Sequence, residues 1–129
     1  MTSPEERRKK RSHDPLVALH YQLSTARTEG DLETIVLADH AGTVVAGAGS
    51  WSACEEIAAY APLFTQNDAD ETGAGSRIAE LRSEVEVRSL RISGQDVLLC
   101  SRKSRSMVAN REEAISRAAA GITRILRAA

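Results

Sequence analysis

The chain reads as a mixed α/β domain built on one antiparallel sheet with helices packed against it. Three observations predict that class. Thr34 to Gly47 holds two β-branched runs, TIVLA and TVVAG, either side of the turn Asp39-His40-Ala41-Gly42. An amphipathic run, Ser52 to Phe64, follows that hairpin almost at once. A second pair of strand-like segments, Glu84 to Ser93 and Val97 to Ser101, then leads into a long apolar stripe from Asn110 onward. With one helix ahead of the first hairpin, the order is α-ββ-α-ββ-α. The sheet has four strands, or five if Arg77 to Arg82 forms an edge strand; one helical turn fits that segment equally well.

Each element has a local reason. Residues 1–13 show no apolar periodicity and are expected to be a disordered basic tail. Asp14-Pro15 starts a helix, because Asp accepts from free amides as N-cap and Pro suits the first helical position. Leu16, Leu19, His20, Leu23 and Ala26 then share a face, and the helix should stop near Thr28 to Gly30. Thr34 to Ala38 is continuously apolar, as expected of a central strand covered on both sides. Gly42 stands where a hairpin loop commonly needs positive φ, and the second strand is Thr43 to Gly47. The run Gly47-Ala48-Gly49 lets the backbone turn sharply or approach another segment closely.

Ser52-Ala53-Cys54-Glu55 has the form of a capping box. Ile57, Tyr60, Ala61 and Phe64 follow on one helical face, and Pro62 should end or kink that helix just before it. Thr65 to Ser76 is polar, acidic and glycine-containing, and is expected to be a flexible loop. In Glu84 to Ser93 the apolar positions pass from Val85 and Val87 to Leu90 and Ile92, a change of face that suggests a bulge. Gly94 and Asp96 turn the chain into the buried strand Val97 to Ser101. Arg102 to Ala109 is a basic, serine-containing loop. Asn110 with Glu113 then caps a helix striped by Ile115, Ala118, Ala119, Ile122, Ile125 and Leu126.

Composition bounds the function. A chain of 129 residues holds one domain with a real core, here residues 14–129. Trp51, Tyr21, Tyr60 and Phe64 are its only aromatic residues, which argues against a base-stacking surface. No apolar run approaches the roughly 18 residues that span a bilayer, so no membrane insertion is expected. The basic run Arg7 to Arg11 leads into polar residues and not into a signal-peptide core. Cys54 and Cys100 make no disulfide framework, and a cytoplasmic protein is the default. Charge is uneven: the tail and the C-terminal third are basic, and Asp68, Asp70 and Glu71 make the middle acidic. That pattern suits an acidic partner, and a solvated tail with an ordinary helix face explains it as well.

Candidate chemistry is sparse, and no catalytic, cofactor-binding or metal-binding residues are assigned. Gly73-Ala74-Gly75 lacks the lysine and strand-to-helix context of a phosphate loop. No Cys or His pair has zinc spacing. Asp39-His40 at the hairpin tip has the types for acid/base work, although a turn favours Asp there anyway. Cys54, read as the second residue of its helix, would have its thiol pKa lowered by the macrodipole. Cys100 belongs to the core, and His20 to the boundary of the first helix. Arg102-Lys103-Ser104-Arg105 and Arg7 to Arg11 offer phosphate contacts, but nothing places them on one face. Trp51, Tyr60 and Phe64 concentrate the aromatic area in one segment. With Ile57 they are the candidate partner interface, the alternative being that they pack the helix onto the sheet.

With that order in hand, the chain resembles the roadblock family of small α/β domains, relatives of longins and profilin-like folds. LETIVLADHAGTVVAGAG resembles the family's first hairpin, and ACEEIAAYAPLF stands in the place of its central helix. DVLLCSRKSRSMVANREEAISRAAAGITRIL resembles its final strand and C-terminal helix. The family's sheet has five strands, and Thr65 to Ser76 looks like an insertion. The resemblance implies a non-enzymatic regulatory scaffold that forms homodimers, extending one sheet across the two-fold and packing the central helices together. It also implies a Ras-like small GTPase or a similar signalling protein as partner. A GAF-like ligand sensor shares the hairpin-helix logic and is the alternative, with a pocket between the sheet and the helix from Ser52. A thiol enzyme using Cys54 is a third reading.

Overall fold

The structure is a computed structural model that describes residues 14–64, 75–104 and 110–128. Its elements are α1 (Pro15–Glu29), β1 (Leu32–Asp39), β2 (Val44–Ala48), α2 (Trp51–Phe64), α3 (Gly75–Glu84), β3 (Val85–Ile92), β4 (Gln95–Lys103) and α4 (Arg111–Ala128). The strands form one antiparallel sheet in the order β2-β1-β4-β3. Helices α1 and α4 cover one face, and α2 with α3 the other. This is the α/β architecture with one antiparallel sheet that the sequence predicts.

The central strand β1 is buried on both sides, as its unbroken apolar run requires. Ile35 and Leu37 join Leu19, Leu23, Ile115 and Ile122 in the core beneath α1 and α4. Val36 and Ala38 point the other way and meet Cys54, Ile57, Ala58 and Ala61 of α2. The β1–β4 register shifts between Leu32 and Thr34, which turns Leu32 onto the same face as Ile35.

Helix α1 begins as expected. The Asp14 side chain accepts from the Val17 amide at 3.3 Å, Pro15 takes the first position, and the Gly30 amide closes the helix onto Ala26 O at 2.8 Å. Helix α4 begins at Arg111, and its Ala114 amide bonds Asn110 O at 2.9 Å. Its N-terminal end lies beside the C-terminal end of α1, where Arg117 meets Glu29 at 3.0 Å and Arg111 Nε donates to Gly30 O at 3.2 Å. The two helices therefore run antiparallel.

Of the two conformations open to Arg77 to Arg82 the helix is present, as part of α3, because Ile78 and Leu81 both reach the core at helical spacing. The sheet thus has four strands. Four other sequence expectations are corrected. No bulge interrupts β3, whose pairing with β4 is continuous from Val85 to Ile92. Its apolar positions change face because Val85 and Val87 lie under α2 and Leu90 under the α1–α4 layer. Helix α2 starts at Trp51, two residues earlier than a Ser52 cap implies: Cys54 N donates to Ser50 O at 3.0 Å, so Ser50 and not Ser52 is the flanking residue. The helix also runs through Pro62 to Phe64. Pro62 cannot donate to the Ala58 carbonyl, which lies against the Gly42 turn, 3.3 Å from where a Cβ would be. Finally Leu16, assigned to the buried face of α1, is half exposed. The tail 1–13, most of the Thr65 to Ser76 loop and residues 105–109 lie outside the described residues.

Candidate functional site

Helix α2 is held to the sheet by small and branched side chains. Cys54, Ile57, Ala58 and Ala61 are all buried against Val36, Ala38, Leu98 and Cys100. Ile57 is 0 % exposed, so its contacts lie within its own chain and its surface is unavailable to a partner. Tyr60 and Phe64 pack half-buried against the same core. Trp51 stands clear, 59 % exposed. Nine positions separate Trp51 from Tyr60, about 13 Å of helix rise and half a turn of rotation. The aromatic residues therefore form two groups, one at each end of the helix. Between them the outward positions Ser52, Glu55 and Ala59 are exposed. No sequence pattern separates the buried Ile57 from its half-exposed neighbours, because all four candidates are large and apolar.

The space between α2 and the sheet is filled by these side chains, where a ligand sensor of the GAF-like kind would need a cavity. One flank of α2 is tied to α3. The Arg77 guanidinium grips the Glu56 carboxylate through two nitrogens, reaches Glu80 at 2.8 Å, and holds the Glu56 carboxyl below its ordinary range. Arg82 donates to Leu63 O at 3.3 Å on the same side. This network was not visible in sequence, since Glu56 and Arg77 are joined only by the docking of the two helices.

The candidate reactive groups are engaged in structure. Asp39 Oδ1 accepts from the amides of Ala41 and Thr43, both at 2.9 Å, which fastens the turn and leaves His40 exposed beside it. The Cys54 thiol lies four residues into α2, buried, with its S–H directed at Ala48 O at 3.9 Å. Burial pushes its pKa up, the reverse of the lowering expected for an exposed helix start. A Cβ on Gly47 would come within 2.8 Å of that sulfur, so glycine is what lets α2 settle onto β2. Burial raises the Cys100 thiol to about 12. His20 Nδ1 meets Gly47 O at 3.1 Å, so this histidine ties α1 to the edge strand β2.

Arg102 and Lys103, expected in a basic loop, belong to strand β4, and Arg102 and Ser104 have internal partners. Arg102 is paired with Glu84 and lies 3.8 Å from Glu33, and the Ser104 hydroxyl donates to Asp31 at 2.9 Å. Lys103 is exposed, and Arg105 lies outside the described residues. Among the described residues no cluster of His, Cys, Asp or Glu could hold a metal ion, and no helix is long and apolar enough to cross a membrane.

Comparison with solved structures shows a likeness to Myxococcus xanthus MglB, with a TM-score of 0.54 and 14 % identity over 98 % of this chain and 92 % of that one. No family pattern and no curated protein matches the sequence. The fold is roadblock/longin-like.

Proposed function

We propose that the chain is a non-enzymatic regulatory domain that pairs with a second copy of itself and acts on a Ras-like small GTPase. The observation that carries this reading is the near full-length likeness in fold to MglB. Roadblock domains, which the sequence resembles, pair through a central helix and a sheet edge and regulate small GTPases or serve as adaptor subunits. In this reading the outward side of α2 is the pairing surface. Trp51 supplies exposed aromatic area on one flank at the helix start, Tyr60 and Phe64 supply part of theirs on the opposite flank at its end, and Ala59 in the exposed stripe between the flanks lets a second helix approach closely. The chain then contributes surface and not a reacting group, in keeping with two buried thiols of raised pKa.

Native mass spectrometry of the tag-free protein tests the pairing. A dimer without added mass supports it. A bare monomer overturns it, and a monomer or dimer carrying a reproducible extra mass overturns it in favour of a ligand sensor. The regulatory half is tested by the GTP hydrolysis rate and nucleotide-dependent capture of purified Ras-like GTPases. Identical capture in the GDP and GTP-analogue states, with unchanged hydrolysis, would sink it.

A further inference from the structure

A cavity of about 170 Å³ opens where β4 ends, β3 begins and α4 starts. Ser101 lines it, and pairs across the sheet with Ile35 on one side and Glu86 on the other. Directly opposed residues of antiparallel strands share a face. Ser101 and Glu86 therefore lie on the side of Ile35, the side covered by α1 and α4. Lys103, two positions further along β4 and opposite Leu32, returns to that same face. Leu32 adds an apolar wall, and Arg111, the first residue of α4, also lines the cavity.

The polar groups here are not all spent on internal partners. Ser101 is 4 % exposed, and its hydroxyl has no hydrogen-bond partner among the described residues. The buried Thr34 hydroxyl also lacks one, but it is shut off from solvent, whereas Ser101 opens onto the cavity. Arg102 holds the Glu84 carboxylate, and Arg111 Nε is committed to Gly30 O at 3.2 Å. Glu86 stands 3.6 Å from Arg88, whose guanidinium is turned to Glu112 at 2.5 Å. Lys103 has no ion-pair partner among the described residues. An unpaired cation and a carboxylate with a distant partner thus flank a buried hydroxyl. Strand geometry sets Lys103 about 7 Å from Ser101 along β4, and Glu86 about 5 Å from it across the ladder.

A simple anion entering this cavity would meet Glu86, and a simple cation would meet Lys103 and Arg111. A ligand carrying both charges satisfies both ends. The volume equals that of about six water molecules at roughly 30 Å³ each, which suits a molecule of about six non-hydrogen atoms. We propose that the cavity binds a free α-amino acid with a small side chain. Its carboxylate lies toward Lys103, its ammonium toward Glu86, and the Ser101 hydroxyl bonds between them. The site is across the sheet from α2, so it is separate from the proposed pairing surface.

The test is a titration of the full chain with L-alanine, followed in ¹H–¹⁵N correlation spectra. Propionate and ethylamine, which each carry one of its charges, are titrated beside it. L-Alanine should shift the amides of Glu86, Ser101, Lys103 and Arg111 along saturable curves. Each half-ligand should bind at least about tenfold more weakly, having lost a charged hydrogen bond. Lys103→Gln and Ser101→Ala should each weaken L-alanine binding about tenfold. Lys103 is exposed, so its replacement disturbs no packing should the Ser101 variant fold poorly. So small a ligand is lost on desalting, and the native mass of the protein still reads its pairing alone. No saturable shift with L-alanine would overturn the proposal. So would propionate binding as tightly as L-alanine, which would mean an adventitious ion only, or undiminished binding by both variants.

Discussion

Replacing Trp51 by alanine tests the proposed pairing surface apart from the core beneath it. Trp51 is 59 % exposed in the isolated chain. A tryptophan carries roughly 150–250 Å² of buriable surface, so roughly 90–150 Å² remains for a partner to cover. At about 25 cal/mol per Å² that is ~2–4 kcal/mol per copy. A two-fold contact uses the residue twice, and ordering costs offset part of the gain, leaving ~4 kcal/mol per dimer. The dimer dissociation constant of Trp51→Ala should therefore rise about a thousandfold. Folding stability of the monomer should change by no more than about 0.5 kcal/mol, because most of the ring is already in water. Sedimentation equilibrium measures the first quantity and urea denaturation at low concentration the second. Ile57→Ala is the opposite control: at 0 % exposure it should cost the monomer ~2–5 kcal/mol. The argument fails if Trp51→Ala pairs as tightly as the parent chain, or if it unfolds the monomer.

Three further outcomes follow from the packing. Gly49 has φ +112°, and a Cβ there would come 2.8 Å from Glu33 O, a backbone atom that cannot swing aside. Gly49→Ala should therefore lower the denaturation free energy by ~2–4 kcal/mol, and a midpoint unchanged in urea would refute this. Gly121 sits mid-helix, where a Cβ would strike the end of the Gln22 side chain, which can rotate away. Gly121→Ala should be neutral or stabilising by up to about 1 kcal/mol through helix propensity, and calorimetry showing a marked loss would mean Gln22 is locked. Cys100 is held neutral by burial, with its pKa raised from 9.0 to about 12. The unfolded thiol ionises first, so this group's contribution is intact below about pH 9 and is lost as pH rises toward 12. By roughly pH 10.5 the parent should have lost ~2 kcal/mol that Cys100→Ala does not lose, and parallel stability–pH curves would contradict that.

Periodicity and turn chemistry were enough to read most of this fold from the chain alone. The unbroken run in β1 specified a strand covered on both sides, Asp14-Pro15 specified the start of α1, and the stripe from Ile115 specified the buried side of α4. These are local rules, expressed within a few residues of one another, so no tertiary knowledge was needed. Tertiary structure decided what depends on which neighbour lies overhead. Val85 and Leu90 face different helices along one regular strand, so a change of covering layer imitated a bulge. Ile78 and Leu81 became helical by docking, where their short polar segment left helix and strand equally open. Cys54 gained a raised pKa because α2 starts at Trp51 and presses the thiol onto Gly47. Leu16 and Ile57 show the same limit from opposite sides: both are large and apolar at helical spacing, and only the reach of the sheet and the angle of each helix expose one and bury the other.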